Sequence, residues 1–359
     1  MRKHLILFSL LLAVLPLLAQ TEVAPFRPGS TVDGVCYFLP KTVFRVAFVS
    51  DKTVTTPGDF AAYADRFLRQ PSAPRTESVE WRLKTFSLQP YGVPDSTKAY
   101  SIRLKTKTSA PLVTLSDEGL LLGVNTEATD ASLPALPPSV PAPPLTDARR
   151  YMTHDILSAT STAKMAQLTA EEIYDLKDAR KTLIRGEADN TPKDGAQLKL
   201  MLDNLDIQIA ALEGLFVGQV RTSTEVTSFT YEPPATIAPE GVRTLLCRYS
   251  RRFGVVDKDD LSGQPVWIEL KPVGSLPERI DNPETARKRS RMPQGLYVNV
   301  PARVKVTVST PDQVLMNLDV PVCQAGTTEL LSDALFNKHL TTKVFLHPHT
   351  GSVREIREQ

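Results

Sequence analysis

Residues 42–49 read TVFRVAFV, β-branched or aromatic at all but two of their positions and interrupted by a single charge, Arg45. Apolar side chains fall on both faces of the extended chain, which predicts a central strand covered from two sides. Further along, Val79, Trp81 and Leu83 alternate with Glu80, Arg82 and Lys84, and Tyr100, Ile102 and Leu104 alternate with Ser101, Arg103 and Lys105. That period of two predicts half-buried strands with one wet face. Between these segments TPGDFAAYADRFL (56–68) predicts a helix: Thr56 as N-cap, Pro57 in the first position, Asp59 completing a capping box. Its apolar face is Phe60, Tyr63, Ala64, Phe67 and Leu68. Residues 112–124, with SDEG at 116–119, read as a closing hairpin.

The pattern then changes twice. Residues 131–145 (ASLPALPPSVPAPPL) carry six prolines, which predicts a polyproline II spacer. Residues 147–218 become helical. Thr169 with Glu172 forms a capping-box pair, Ile173, Leu176 and Leu183 mark a stripe that Arg180 interrupts, and Gly186 ends the helix. Thr191, Pro192 and Asp194 start a second helix. In it Leu198, Leu202, Leu205, Ile209, Leu212 and Phe216 are spaced alternately by four and three, a heptad seam of the coiled-coil kind. From 219 onward short β patterns recur at 226–231, 242–249, 266–270, 303–308, 314–318, 343–346 and 353–356. The expected class is mixed but mainly β: two β-sandwich-like domains separated by a long antiparallel α-helical hairpin. The boundaries expected are a leader at 1–19, an N-terminal β domain with one short helix at 20–130, the proline-rich linker at 131–146, the hairpin at 147–218 and a C-terminal β domain at 219–359.

The leader is read from Arg2, Lys3 and His4 followed by residues 5–18, apolar except for Ser9, with Ala19 at the expected cleavage point. About 14 apolar residues fall short of the roughly 20 that span a bilayer, so export with no transmembrane span after cleavage is expected. Composition agrees with a globular chain: 42% hydrophobic, 7% aromatic, 23% charged, with 29 prolines favouring edge-rich β structure. Removing Arg2 and Lys3 leaves 40 charges of each sign, and a neutral total offers nothing to nucleic acid or an anionic membrane.

Six strings occur in order: YFLPKT (37–42), PGDFAAYADRFL (57–68), GEADNTPKDG (186–195), ALEGLFVG (211–218), DLSGQPV (260–266) and TGSV (350–353). Together they resemble the family called domain of unknown function 4831, exported proteins of Bacteroidetes. The resemblance spans nearly the whole mature chain. It implies a cell-envelope location and the β–helical hairpin–β order. No activity, cofactor or catalytic residue comes with it.

Reactive chemistry finds little footing in the residue pattern. No GxSxG, HExxH or CxxC occurs. Cys36, Cys247 and Cys323 are odd in number and sit in apolar strand-like stretches, so they read as buried thiols, with one long-range bridge as the alternative. His347 and His349 share a strand face, but Pro348 interrupts the ladder and no acid completes a metal site. Asp257, Asp259 and Asp260 lack the EF-hand spacing and read as turn residues, as do Glu187 and Asp189, while Asp194 reads as a helix cap. The run Arg287, Lys288, Arg289, Ser290, Arg291, framed by Pro283 and Pro293, reads as a solvated loop able to touch an acidic partner. The function expected is a non-catalytic envelope accessory or scaffold protein, with no cofactor and no metal, that binds other envelope proteins in the periplasm or at the outer-membrane periphery. Its expected contact residues are Leu198, Leu202, Leu205, Ile209 and Leu212 of the seam and Arg287, Lys288, Arg289 and Arg291 of the basic run. The alternative is a module for envelope glycan or lipid that uses Trp81, Tyr91 or Trp267.

Overall fold

The computed structural model describes residues 22–26, 34–103, 113–189, 192, 194–274, 295–332 and 342–358. The leader, Leu104 and Lys105, Thr191 and the basic run 287–291 lie outside them. Three antiparallel sheets carry the architecture. The first has the order β1 (Glu22–Pro25), β3 (Ser78–Arg103), β2 (Gly34–Thr56), β6 (Gln219–Tyr231). The second has β11 (Val314–Ser332), β10 (Gly295–Ser309), β9 (Gln264–Pro272), β7 (Val242–Ser250), β8 (Gly254–Val256). The third has β13 (Val353–Glu358), β12 (Thr342–Leu346), β5 (Leu121–Val124), β4 (Val113–Leu115).

The run at 42–49 lies at the centre of β2, a 23-residue strand paired with β3 on one edge and β6 on the other. Phe44, Val46 and Phe48 on one of its faces, with Phe86 and Leu88 of β3, pack against Val266, Ile268, Val304, Val306 and Val308 of the second sheet. Earlier in the same strand, Tyr37 and Leu39 join Ile102, Leu121, Leu296, Val298, Val344 and Leu346 in a second core beneath the third sheet. The alternation at 79–84 and the described part of that at 100–105, residues 100–103, belong to the two ends of one strand, β3, rather than to two strands.

These pairings correct the expected separation into two β-sandwich-like domains on either side of the helices. β2 is buried at most positions between Tyr37 and Ser50 and needs a partner on each edge; β6 supplies the second from beyond the helical segment, and β12 pairs with β5. The proline-rich segment does not stand away as a spacer. Val140 exchanges two main-chain hydrogen bonds with Thr224 of β6, and Arg45 donates to the Pro134 carbonyl.

The helices are α1 (Ala64–Leu68), α2 (His154–Leu157), α3 (Thr162–Arg185) and α4 (Gly195–Val217). Three local expectations change. The helix expected from Thr56 starts later, as a 3-10 turn at Ala61–Tyr63 leading into α1. Residues 57–60 are instead docked on the end of α4: Phe60 N–H donates to the Leu215 carbonyl, and a Cβ on Gly58 would lie 2.2 Å from that oxygen. Thr169 is no cap; Ser161 caps α3, and the Thr169 hydroxyl donates to the Met165 carbonyl one turn back. The long seamed hairpin and its coiled coil are likewise not what forms. Apolar burial between α3 and α4 gathers at the sheet-proximal end, where Ala166, Ala170, Ile173, Ile209, Leu212 and Phe216 meet Phe60 and Ala64. Farther out the helices are tied by ion pairs, Lys177–Glu213 at 2.5 Å and Arg180–Asp206 at 2.6 Å. Asp194 does cap α4, and Gly186 does end α3 in a left-handed conformation.

The three sheets meet at a buried polar joint. Asn299, 1% exposed, donates from Nδ2 to the carbonyls of Pro40 (2.8 Å) and Thr350 (3.0 Å), and its main-chain N–H donates to Gly351. Beside it Thr42 N–H donates to Gln324 Oε1, Gln324 Nε2 donates to the Thr42 carbonyl, and Cys323 N–H donates to Thr42 Oγ1. Gly351, at φ +64°, lets the 347–352 turn close on Pro40, since a Cβ there would stand 2.6 Å from the proline ring. Replacing Asn299 by Leu takes the side-chain donor from the Pro40 carbonyl and leaves the Thr350 carbonyl with only the weak Cys323 thiol donor. The expected loss is about 2–4 kcal/mol of unfolding free energy by urea titration, against under about 1 kcal/mol for Asn317→Leu on β11.

Burial also sets the behaviour at alkaline pH. Desolvation pushes the Cys247 thiol up to about 12 and raises Cys323 and Tyr37 as well. An unfolded chain releases the thiol protons near the ordinary value of 9.0, so the unfolded state gains ground as pH rises from about 9 toward 12, and full stability lies below that window. In thermal melts under reducing conditions, Cys247→Ala is expected to lower Tm at pH 7 but to flatten its decline between pH 9 and 11. Parallel pH profiles for variant and parent would contradict this.

Candidate partner-binding surface

The residues of α4 are apolar on more sides than α3 covers. At 100° per residue Leu198, Leu202, Leu205, Ile209, Leu212 and Phe216 fall on one side of the helix, as the spacing implied. The structure brings only part of that set into contact. Ile209, Leu212 and Phe216 are buried near the sheets, whereas Leu198, Leu202 and Leu205 are half-buried. On the opposite side Leu200 (63% exposed) and Ile207 (51%) stand seven residues apart, hence nearly in line along the axis, with Met201 on the flank. Their spacing was visible in the sequence, but the heptad drew attention to the other face.

The helices are fixed to the body at one end. Phe60 and Phe216 lie 5.4 Å apart between ring centroids, and the Tyr174 hydroxyl donates to the Phe67 carbonyl. Arg180, which interrupted the α3 stripe, reaches across to both carboxylate oxygens of Asp206. It is a cross-helix tie rather than a defect in a seam.

The aromatic residues considered for glycan do not converge. The Trp81 ring lies against Gly254, where a Cβ would approach it to 2.8 Å, and the Lys52 ammonium sits 5.2 Å from its centroid. Beside it runs an open groove of about 840 Å³ lined by Lys52, Glu77, Glu80, Trp81, Arg251, Arg252 and the exposed Phe253. Tyr91 lines a separate cavity of about 380 Å³ with Pro90, Pro321, His347, Pro348 and His349. Trp267 packs under the Arg243 guanidinium at 4.8 Å. The sequence reading omitted Phe253, since no pattern joined a turn residue at 253 to a strand residue at 81.

The two histidines therefore share one cavity, and among the described residues no group of three His, Cys, Asp or Glu stands together. Asp257 and Asp260 accept from main-chain N–H groups of Asp259 and Ser262 and shape the turn before β9. The bond from Ser262 holds the Asp260 carboxyl below its usual range. Cys247 and Cys323 are buried, Cys36 is half-buried, and all three are free thiols. Among the described residues no helix is long and apolar enough to cross a membrane.

No curated protein and no solved structure matches the chain. A family model described as a domain of unknown function, DUF4831, matches residues 33–354. That span takes in the three sheets except β1 and residues 355–358 of β13, together with every helix among the described residues and the buried joint, and on it the chain belongs to the DUF4831 family.

Proposed function

We propose that this protein is a non-catalytic accessory or scaffold of the cell envelope that binds another protein through the outward side of α4. One observation carries the reading. Leu200 and Ile207 are large apolar side chains held in line on solvent by a helix whose opposite side is already engaged. Aligned anchors at a spacing of seven are how a helix meets a groove or a second helix. The leader expected at residues 1–19 supports export to the periplasm or the outer-membrane periphery, where such a partner would be met.

The test separates binding from folding. Leu200→Asp combined with Ile207→Asp is expected to leave Tm close to the parent, because neither side chain is buried, and to abolish co-purification of partners from solubilised envelope. Leu205→Asp, at a half-buried position, is expected to lower Tm. Undiminished partner recovery by the folded double variant would refute the reading.

A second reading, an envelope-glycan module, draws on the groove beside Trp81. Its volume suits a short oligosaccharide, and an aromatic face flanked by Lys52, Arg251 and Arg252 suits an acidic one. Titration with soluble envelope glycan fragments should then perturb tryptophan fluorescence in the parent and in Trp267→Phe, but not in Trp81→Phe.

A further inference from the structure

The free edge of β6 is covered by the proline-rich segment, and the way it is covered says what else fits there. Thr224 exchanges both main-chain hydrogen bonds with Val140, so its N–H and carbonyl point away from β2. The β2–β6 register runs without a shift, so the N–H and carbonyl groups of residues 220, 222, 226, 228 and 230 point the same way. Continuing the antiparallel register from Val140–Thr224 sets Pro138 opposite Val226, Ala142 opposite Thr222 and Pro144 opposite Val220. A strand would donate an N–H at 138 and at 144, and proline has none. At Val226 a side chain substitutes: its N–H donates to Ser139 Oγ. At the far end the Gln219 side chain holds both the N–H and the carbonyl of Thr146. The segment therefore occupies a strand position while making only one reciprocal main-chain pair. Val140 itself is 55% exposed, so little packing reinforces that pair.

We propose that residues 220–230 of β6 form a strand-acceptor edge for an extended, proline-free segment of a partner polypeptide, and that residues 138–144 are a displaceable cover over it. The present occupant shows that an extended chain fits antiparallel at this edge. A competitor with N–H groups at the two proline positions makes the bonds that the cover lacks. Beyond the cover, residues 228 and 230 offer outward main-chain groups that no described residue bonds. The outward side chains of β6, Val220, Thr222, Thr224, Val226, Ser228 and Thr230, favour small or β-branched neighbours on the incoming strand. This site is distinct from the α4 surface, and its test does not involve α4.

The probe is a fluorescein-labelled peptide of residues 136–146 in which all five prolines, at 137, 138, 141, 143 and 144, are replaced by threonine. Its binding to three full-length proteins is followed by fluorescence anisotropy: the parent, Val140→Pro and Pro138→Thr combined with Pro144→Thr. Val140→Pro removes one of the two main-chain bonds that pair the cover with β6, so binding roughly fivefold tighter than to the parent is expected. The double variant completes the cover and should bind at least fivefold more weakly. Hydrogen exchange should show the amides of 222, 228 and 230 becoming protected when the peptide binds. Equal binding to all three proteins, or no binding to a folded Val140→Pro, overturns the proposal. So does a peptide-free Val140→Pro that sediments as a dimer, since the edge then serves a second copy of the chain. Should Val140→Pro fail to fold, the parent against the double variant decides, and equal affinity there overturns the proposal as well.

Discussion

Two carbonyls, those of Pro40 and Thr350, converge on the side-chain amide of Asn299, and the relation among the three sheets depends on that convergence. Pro40 lies in β2, Asn299 in β10, and Thr350 in the turn between β12 and β13, so one amide ties two sheets and the connecting turn of the third to the same point. Around it β2 and β10 both break register, between Phe38 and Pro40 and between Val300 and Ala302. A bulge bends a strand and frees main-chain groups that must find partners in a dry interior. Asn299, Gln324 and Thr42 supply those partners, and the long strands can then pass from one apolar core to the next.

The strands and their buried faces were legible in the sequence because alternation is a local signal. The run at 42–49, the alternations around Trp81 and Ile102 and the C-terminal β segments all became strands. Pairing was not legible. Nothing in VTSFTY marks it as the neighbour of TVFRVAFV rather than of the strand that follows it, and a helical insertion reads the same whether it separates two domains or interrupts one sheet. The proline run was misread for a related reason. Composition predicts an extended backbone, but a spacer and an edge cover are equally extended.

The helices show the opposite failure. Leu198, Leu202 and Leu205 have the spacing of a seam, yet they stay half-buried, and burial is strongest at the other end of α4, where α1 and Phe60 add a third surface to that of α3. The spacing identified one side of α4 correctly and said nothing of how far along the helix that side would be filled. The outward position of Leu200 and Ile207 follows from the same 100° rotation, but whether anything covers them depends on the tertiary fold.

β2 is flanked on one side by β3, the next long strand in the chain, and on the other by β6, which follows the whole helical segment; β5 waits longer still, since Val124 pairs with Val344. During vectorial emergence from a ribosome or a translocation channel, the hairpin of β2 and β3 appears first, with Phe44, Val46 and Phe48 on one face and an unpaired backbone edge. Both remain uncovered until distant segments arrive. Closing such long loops is slow, because the chain loses conformational entropy before any contact compensates for it. The topology thus gives the nascent chain a prolonged interval with a sticky, half-built sheet, a state in which a holding chaperone has the most to protect.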